Sequence, residues 1–325
     1  MARSTKFKHS NKVQSTGKLP IRKQTTFLLG IFCQRNDTKH RQLSRSTMLG
    51  ETELPPSVYS RICTLQDFLK MAESTNASEN SYNNVCQIIY TFVVGGGTNV
   101  SSYEYPSDIM NRPDFQLLVS NDPLTKVEPD VVLLNIQENM NHGKTPSWFH
   151  YASTIVNKGI DYVAKLDLDT LVSIPQLLSF LQQELRPRPS LADTQAPPRV
   201  YGGILMDFEA CGGKYWPTRC FPAKGKIYMS GQFYFLSYDL VEYTAQWRTN
   251  YSFKERKFED LSFAMRIWSY PHPLHLIAFN PHIIWTHGSK NESLWRSDFE
   301  RLRQSGWNIS STYFASGLFK ELPTP

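Results

Sequence analysis

The chain has 325 residues, 40% apolar and 20% charged, with 19 Phe, 16 Tyr and 7 Trp. That aromatic load excludes a wholly disordered chain, and the length suits one large domain or two modest ones. The net charge is +6, but residues 1–23 hold seven Lys and Arg and no acid, so the rest sums to −1; a near-neutral body argues against a nucleic-acid-binding face.

Residues 1–24 are expected to be a disordered basic tail. Thr25–Cys33 reads as a buried strand and Thr38–Leu49 as a helix stopped by Gly50. A polar stretch follows, with a helix around Leu65–Ala72. Gln87–Val94 is a second strand, ended by Gly95-Gly96-Gly97, and Asp130–Ile136 a third. Thr145-Pro146 predicts a helix start, with Thr as N-cap and Pro at the first helical position, running to about Asn157. Asp161–Leu166 is a fourth strand. Ser173-Ile174-Pro175 opens a helix whose Ile174, Leu177, Leu178 and Leu181 share one face. Arg186–Arg199 is a Pro-rich surface loop. Short strands, helices and aromatic loops fill the chain from 199 onward. Strands alternating with helices from 25 to 185 predict an α/β fold with a mostly parallel sheet covered on both faces.

No apolar run approaches the ~18 residues that span a bilayer, and no apolar signal region follows the basic start. Membrane association is therefore expected only through an anchor that this chain lacks. Five cysteines are too few for a disulfide scaffold, although Cys211 and Cys220, nine apart, would allow a local bridge. Six N-x-[ST] sequons, at Asn36, Asn76, Asn99, Asn250, Asn291 and Asn308, favour a secretory history. That history conflicts with the missing targeting segment.

The sharpest chemical signal is Asp167-Leu168-Asp169 at the end of a buried strand. Ligands of such sheets bind outside the carboxyl ends of the strands. Two carboxylates there cannot both be buried unpaired, and they suit a hard divalent cation whose other positions go to water and phosphate. Phe258-Glu259-Asp260 opens an amphipathic helix, where an acid can serve as a dipole partner or as a general base. His287 follows an apolar strand and could add a metal ligand. Gly143-Lys144-Thr145 is no P-loop, because position 138 is Glu where the motif needs Gly. It suits a helix start beside an anion, with Lys144 adding charge.

In order over residues 25–290, these features resemble the β-1,3-glycosyltransferases of the galactosyltransferase type (glycosyltransferase family 31, which includes the fringe enzymes). His40-Arg41-Gln-Leu-Ser44-Arg45-Ser-Thr47-Met48 is similar to the family's Arg-Arg-x-x-Ile-Arg-x-Thr-Trp helix, departing at 40, 44 and 48. Phe92-Val-Val-Gly95 resembles its F-x-x-G strand end, and Lys144-Thr145 the close of its N-x-T-x-K-T. Tyr162-Val-Ala-Lys165-Leu-Asp167-Leu-Asp169 fits Y-x-x-K-x-D-x-D. Tyr228 to Leu240 resembles Y-x-x-G-x-x-Y-x-x-S-x-D-L. Glu259-Asp260-Leu261 stands where the family has Glu-Asp-Val, and Trp285-Thr286-His287 at its late His.

The resemblance implies a GT-A fold over 25–325, with a nucleotide-sugar half at about 25–185 and an acceptor half at about 199–325. It implies a UDP-sugar donor and Mn²⁺ or another divalent cation joining Asp169 to the donor diphosphate. His287 would complete the protein ligands, and Asp167 would contact the ribose or share the metal. Arg41, Arg45, Lys144 and Lys165 would belong to the nucleotide side. Asp260 would take the proton of the acceptor hydroxyl. A single inverting displacement would move galactose or an N-acetylhexosamine onto a glycan, glycoprotein or glycolipid, in a β-1,3 linkage and in the Golgi lumen. Two alternatives share parts of the pattern: a non-catalytic glycan-binding or chaperone-like relative, and a haloacid-dehalogenase-type phosphatase, whose D-x-D-x-T/V ends the first strand of its core.

Overall fold

A computed structural model describes residues 24–50, 53–74, 85–96, 117–119, 121–136, 138, 143–189, 196–206, 228–246, 259–279, 285–287 and 291–305. The basic tail and the Cys211–Cys220 pair lie outside the described residues. The first half runs β1 (Phe27–Phe32), α1 (Thr38–Ser46), α2 (Pro56–Tyr59), β2 (Ile62–Thr64), α3 (Leu65–Ser74), β3 (Ile88–Gly95), α4 (Pro123–Val127), β4 (Val131–Leu134), α5 (Lys144–Ser153), β5 (Tyr162–Asp167), β6 (Thr170–Val172) and α6 (Ile174–Gln183). The second runs β7 (Val200–Met206), β8 (Tyr228–Ser237), α7 (Tyr238–Ala245), α8 (Glu259–Ile267), β9 (His275–Phe279), β10 (Trp285–His287) and α9 (Glu292–Gln304).

Eight strands form one sheet in the order β2-β3-β1-β5-β8-β7-β9, with β4 also on β3. Strand β2 pairs with the first half of β3's outer edge and β4 with the second half. Among the described strands of this sheet, only β8 runs against its neighbours, pairing antiparallel with both β5 and β7. Both halves of the chain thus share the sheet. Strands β6 and β10 form a separate antiparallel ladder.

The central strands carry apolar residues on both faces, as strands buried on two sides must. In β1, Phe27, Leu29 and Ile31 enter one core, and Leu28 and Phe32 the other. The first core is closed by Leu43 of α1, by Ile174, Leu177, Leu178 and Leu181 of α6, and by Trp295, Phe299 and Leu302 of α9. The second is closed by Phe68 of α3, Trp148 and Phe149 of α5, Leu240 of α7 and Phe263 of α8. This mostly parallel sheet with helices on both faces is the α/β architecture that the sequence predicts.

Helix α6 starts as expected, with the Ser173 hydroxyl accepting from the Gln176 N–H. Helix α1 ends at Ser46, before the expected Leu49, as the chain turns and the Leu49 N–H reaches back to the Ser44 carbonyl. Helix α5 departs at both ends. It begins at Lys144 behind Gly143, whose φ of 100° favours glycine, and stops at Ser153, with a short 3-10 turn following at Val156–Lys158. A disulfide joins Cys63 in β2 to Cys86 ahead of β3, 23 residues on. Closing a loop of that size contributes about 3 kcal/mol by limiting the unfolded chain.

Candidate active site

The parallel strands end on one edge, and the connections after them bring the charged residues together there. Strand β5 ends at Asp167, paired beside Phe32, and the chain turns through Leu168 and Asp169 into β6. The backbone of His287 pairs with Thr170, the residue after Asp169.

Lys165 is the hub. Its side chain is buried, and its ammonium donates to Asp167 Oδ1 at 2.9 Å and to the Gly231 carbonyl at 2.5 Å. It lies 3.4 Å from Asp260 Oδ1. The rings of Phe32 and Tyr234 lie within 6 Å of it, at 5.3 and 5.7 Å. Burial works to lower the Lys165 pKa, but Asp167 and Asp260 outweigh it and hold the pKa above its ordinary value. Lys165 therefore stays charged and neutralises part of the acidic cluster.

Asp260 sits in the first turn of α8, its side chain 26% exposed. Burial raises its pKa above the ordinary aspartate range; Lys165 opposes the rise and Asp167 adds to it. The carboxylate occupies a notch in β8. A Cβ on Gly231 would stand 2.0 Å from Asp260 Oδ2.

Glu259 is buried beside it, and its Oε1 accepts the Gly143 N–H at 2.8 Å and the Thr145 N–H at 3.0 Å. Burial, with Asp260 next, pushes its pKa up to about 8, against the pull of Lys165 and the two amides. The expected cap of α5, the Thr145 hydroxyl, is thus replaced by a carboxylate from another helix. The adjacent Glu259-Asp260 pair was the available signal, but nothing local links it to residue 143.

The other expected nucleotide-side cations have partners of their own. Arg41 is fully buried, forked onto Glu128 at 2.9 and 2.7 Å, and donates to the Gln34 carbonyl at 2.8 Å. Arg45 holds Asp130 at 2.8 and 2.7 Å and Glu128 at 2.6 Å, over the face of Phe92. Lys144 donates to the Cys33 carbonyl at 2.7 Å and to both oxygens of Glu138, one of which also accepts the Gly95 N–H. These three side chains tie α1 and α5 to the ends of β1, β3 and β4. The structure brings Lys165, Asp167 and Asp260 into contact, and spends Arg41, Arg45 and Lys144 on carboxylates of the chain.

Hydrogen bonds from Arg41 are the foremost cause holding the Glu128 carboxyl below its ordinary pKa; burial opposes them and Arg45 reinforces them. Its stabilisation is complete above the ordinary glutamate range and is lost as pH falls through the depressed folded value. We expect the melting temperature to drop steeply below about pH 4. Glu128→Gln should cost about 3 kcal/mol at neutral pH and flatten part of that acid slope. Thermal melts of both proteins across pH 3–8 check this.

Asp167, its side chain 22% exposed, and Asp169 offer two carboxylates for a divalent cation. Among the described residues no group of three His, Cys, Asp or Glu side chains is gathered tightly enough to hold a metal by itself. The donor set fits a cation whose remaining ligands come from a diphosphate and water. Asp167 ends the fifth strand in chain order, unlike the first-strand aspartate of the phosphatase alternative. No helix among the described residues is long and apolar enough to cross a membrane.

No curated protein matches the chain. A solved glycosyltransferase, involved in the glycosylation of the major capsid of PBCV-1, overlaps 86% of this chain and 99% of its own, at 11% identity and a TM-score of 0.34. An overlap that loose bears on neither fold nor chemistry. Residues 115–269 match the family model described as Galactosyltransferase. That stretch runs from ahead of α4 through α8 and contains Lys165, Asp167, Asp169, Gly231, Glu259 and Asp260. That match covers just under half of the chain, so residues 115–269 are similar to the galactosyltransferase family.

Proposed function

We propose that the chain is an inverting, metal-dependent hexosyltransferase that moves galactose or an N-acetylhexosamine from a UDP-sugar to a glycan hydroxyl, forming a β-1,3 linkage. The observation that carries this is the Lys165–Asp167–Asp260 cluster at the carboxyl edge of the sheet, inside the segment matched to the galactosyltransferase family.

Asp167 and Asp169, with His287, would hold Mn²⁺ or a similar cation, which when bound neutralises the donor diphosphate and stabilises it as a leaving group. Asp260 takes the proton of the acceptor hydroxyl. As that oxygen bonds to the anomeric carbon, the bond to the diphosphate breaks and its electron pair leaves with UDP. Burial makes Asp260 a stronger base than an exposed aspartate, while Lys165 favours its ionised form at neutral pH. Attack opposite the leaving group turns an α-linked donor into a β-linked product. Arg41 and Lys144, buried and fully engaged, shape the nucleotide side by fixing the segments around it. Arg45, a quarter exposed, retains surface to offer the nucleotide.

A Golgi lumen location fits the Cys63–Cys86 disulfide, which needs an oxidising compartment, and the exposed sequon asparagines Asn36 and Asn291. The reaction is tested by a screen of UDP-sugars with Mn²⁺, scoring UDP release and then the linkage formed. We expect release from a UDP-hexose or UDP-N-acetylhexosamine that rises with a glycan acceptor. No release with any donor would favour a non-catalytic glycan-binding relative.

A further inference from the structure

The first amides of a helix lack partners within it, and a side chain just ahead of the helix usually supplies one. In α5 that position is Gly143, which has no side chain to offer. The acceptor comes from Glu259, 114 residues after Thr145, through one oxygen held by two amides. The same two helices stack Phe149 on Phe263, with ring centroids 4.9 Å apart. One end of α8 is thus pinned to α5 by a buried carboxylate and its middle by an aromatic pair. Asp260 is the next residue along the chain, and its carboxylate occupies the notch left by Gly231 in β8.

We propose that Glu259 is a positioning residue for the transfer step: by capping α5 it sets the rotation and depth of the first turn of α8, and so aims Asp260 at Lys165 and the acceptor. This rests on Asp260 being the base. Glu259 itself touches no substrate in this account. Its function needs an acceptor oxygen at the right reach, and a glutamine supplies that as well as a glutamate does.

The test compares Glu259→Ala, Glu259→Gln and Glu259→Asp in the full chain, by initial rates of UDP release with donor and acceptor varied, alongside thermal melts. Misplacing a reacting group by an ångström costs up to about a hundredfold. We expect Glu259→Ala to lower kcat about 10- to 100-fold, with donor KM changed less than about twofold. Glu259→Gln should return kcat to within about threefold of the parent. Glu259→Asp, one methylene short, should fall below the Gln variant. If the Ala variant does not fold, the order Gln above Asp decides. The reverse order, a folded Ala variant at parental kcat, or a loss confined to donor KM overturns the proposal. Asp260→Asn is measured beside them. Parental turnover in that variant refutes the base assignment itself, whereas a dead Asp260→Asn beside a folded Glu259→Ala at parental kcat refutes only the positioning role.

Discussion

Asp260→Asn is expected to reduce sugar transfer about 10²- to 10⁴-fold, the range a general base contributes, while UDP affinity stays close to that of the parent. Asparagine keeps the shape of the side chain and can still accept from Lys165, so the notch at Gly231 remains filled and the fold is spared. What is lost is the ability to take a proton. Initial rates of UDP release with saturating donor and acceptor, and calorimetric UDP binding, separate the two effects. A transfer rate within about threefold of the parent removes Asp260 as the base.

Gly231→Ala is expected to have the next largest effect, by a different route. Its Cβ would stand 2.0 Å from Asp260 Oδ2, 2.7 Å from Asp260 Cγ and 3.0 Å from Lys165 Nζ. All three are side-chain atoms, so the strand can stay in place while the Asp260 carboxylate swings out of its notch. We therefore expect a small loss of stability, about 1–3 kcal/mol, beside a fall in kcat on the order of 10². Melting temperature and kcat measured on one preparation check the split. A variant that melts normally and turns over normally would show that the close approach of β8 to Asp260 has no catalytic consequence.

The sequence makes the sheet legible because its central strands are short, largely apolar runs bounded by turn residues: TTFLLGIFC for β1, QIIYTFVV for β3, DYVAKL for β5. Helix α6 is equally plain, since Ser173, Pro175 and the spacing of Ile174, Leu177, Leu178 and Leu181 are local signals that the fold keeps. Where local rules fail, a distant partner has displaced a near one. Thr145-Pro146 has the composition of a helix start, yet Glu259 caps that helix and moves its first residue to Lys144. Arg41 and Arg45 suit a nucleotide side as free cations, but Glu128 and Asp130 hold them from more than 80 residues away. The Cys63–Cys86 bridge joins β2 to the segment ahead of β3, a pairing no spacing rule reveals. In the candidate site, Asp167, Asp169 and Asp260 stand out as acids at the end of a strand and the start of a helix. The roles of Gly231 and Glu259 emerge only once β8 and α8 are packed against α5 and β5.

The cation is the joint on which donor recognition turns in this account, and calorimetric titration of UDP into the protein tests it most directly. With Mn²⁺ present, binding should be measurable in the micromolar range, about −8 kcal/mol. It should weaken at least about tenfold when the metal is chelated, and Asp169→Ala should bind UDP no better with Mn²⁺ than without. Equal affinity for UDP with and without metal in the parent protein would contradict the account.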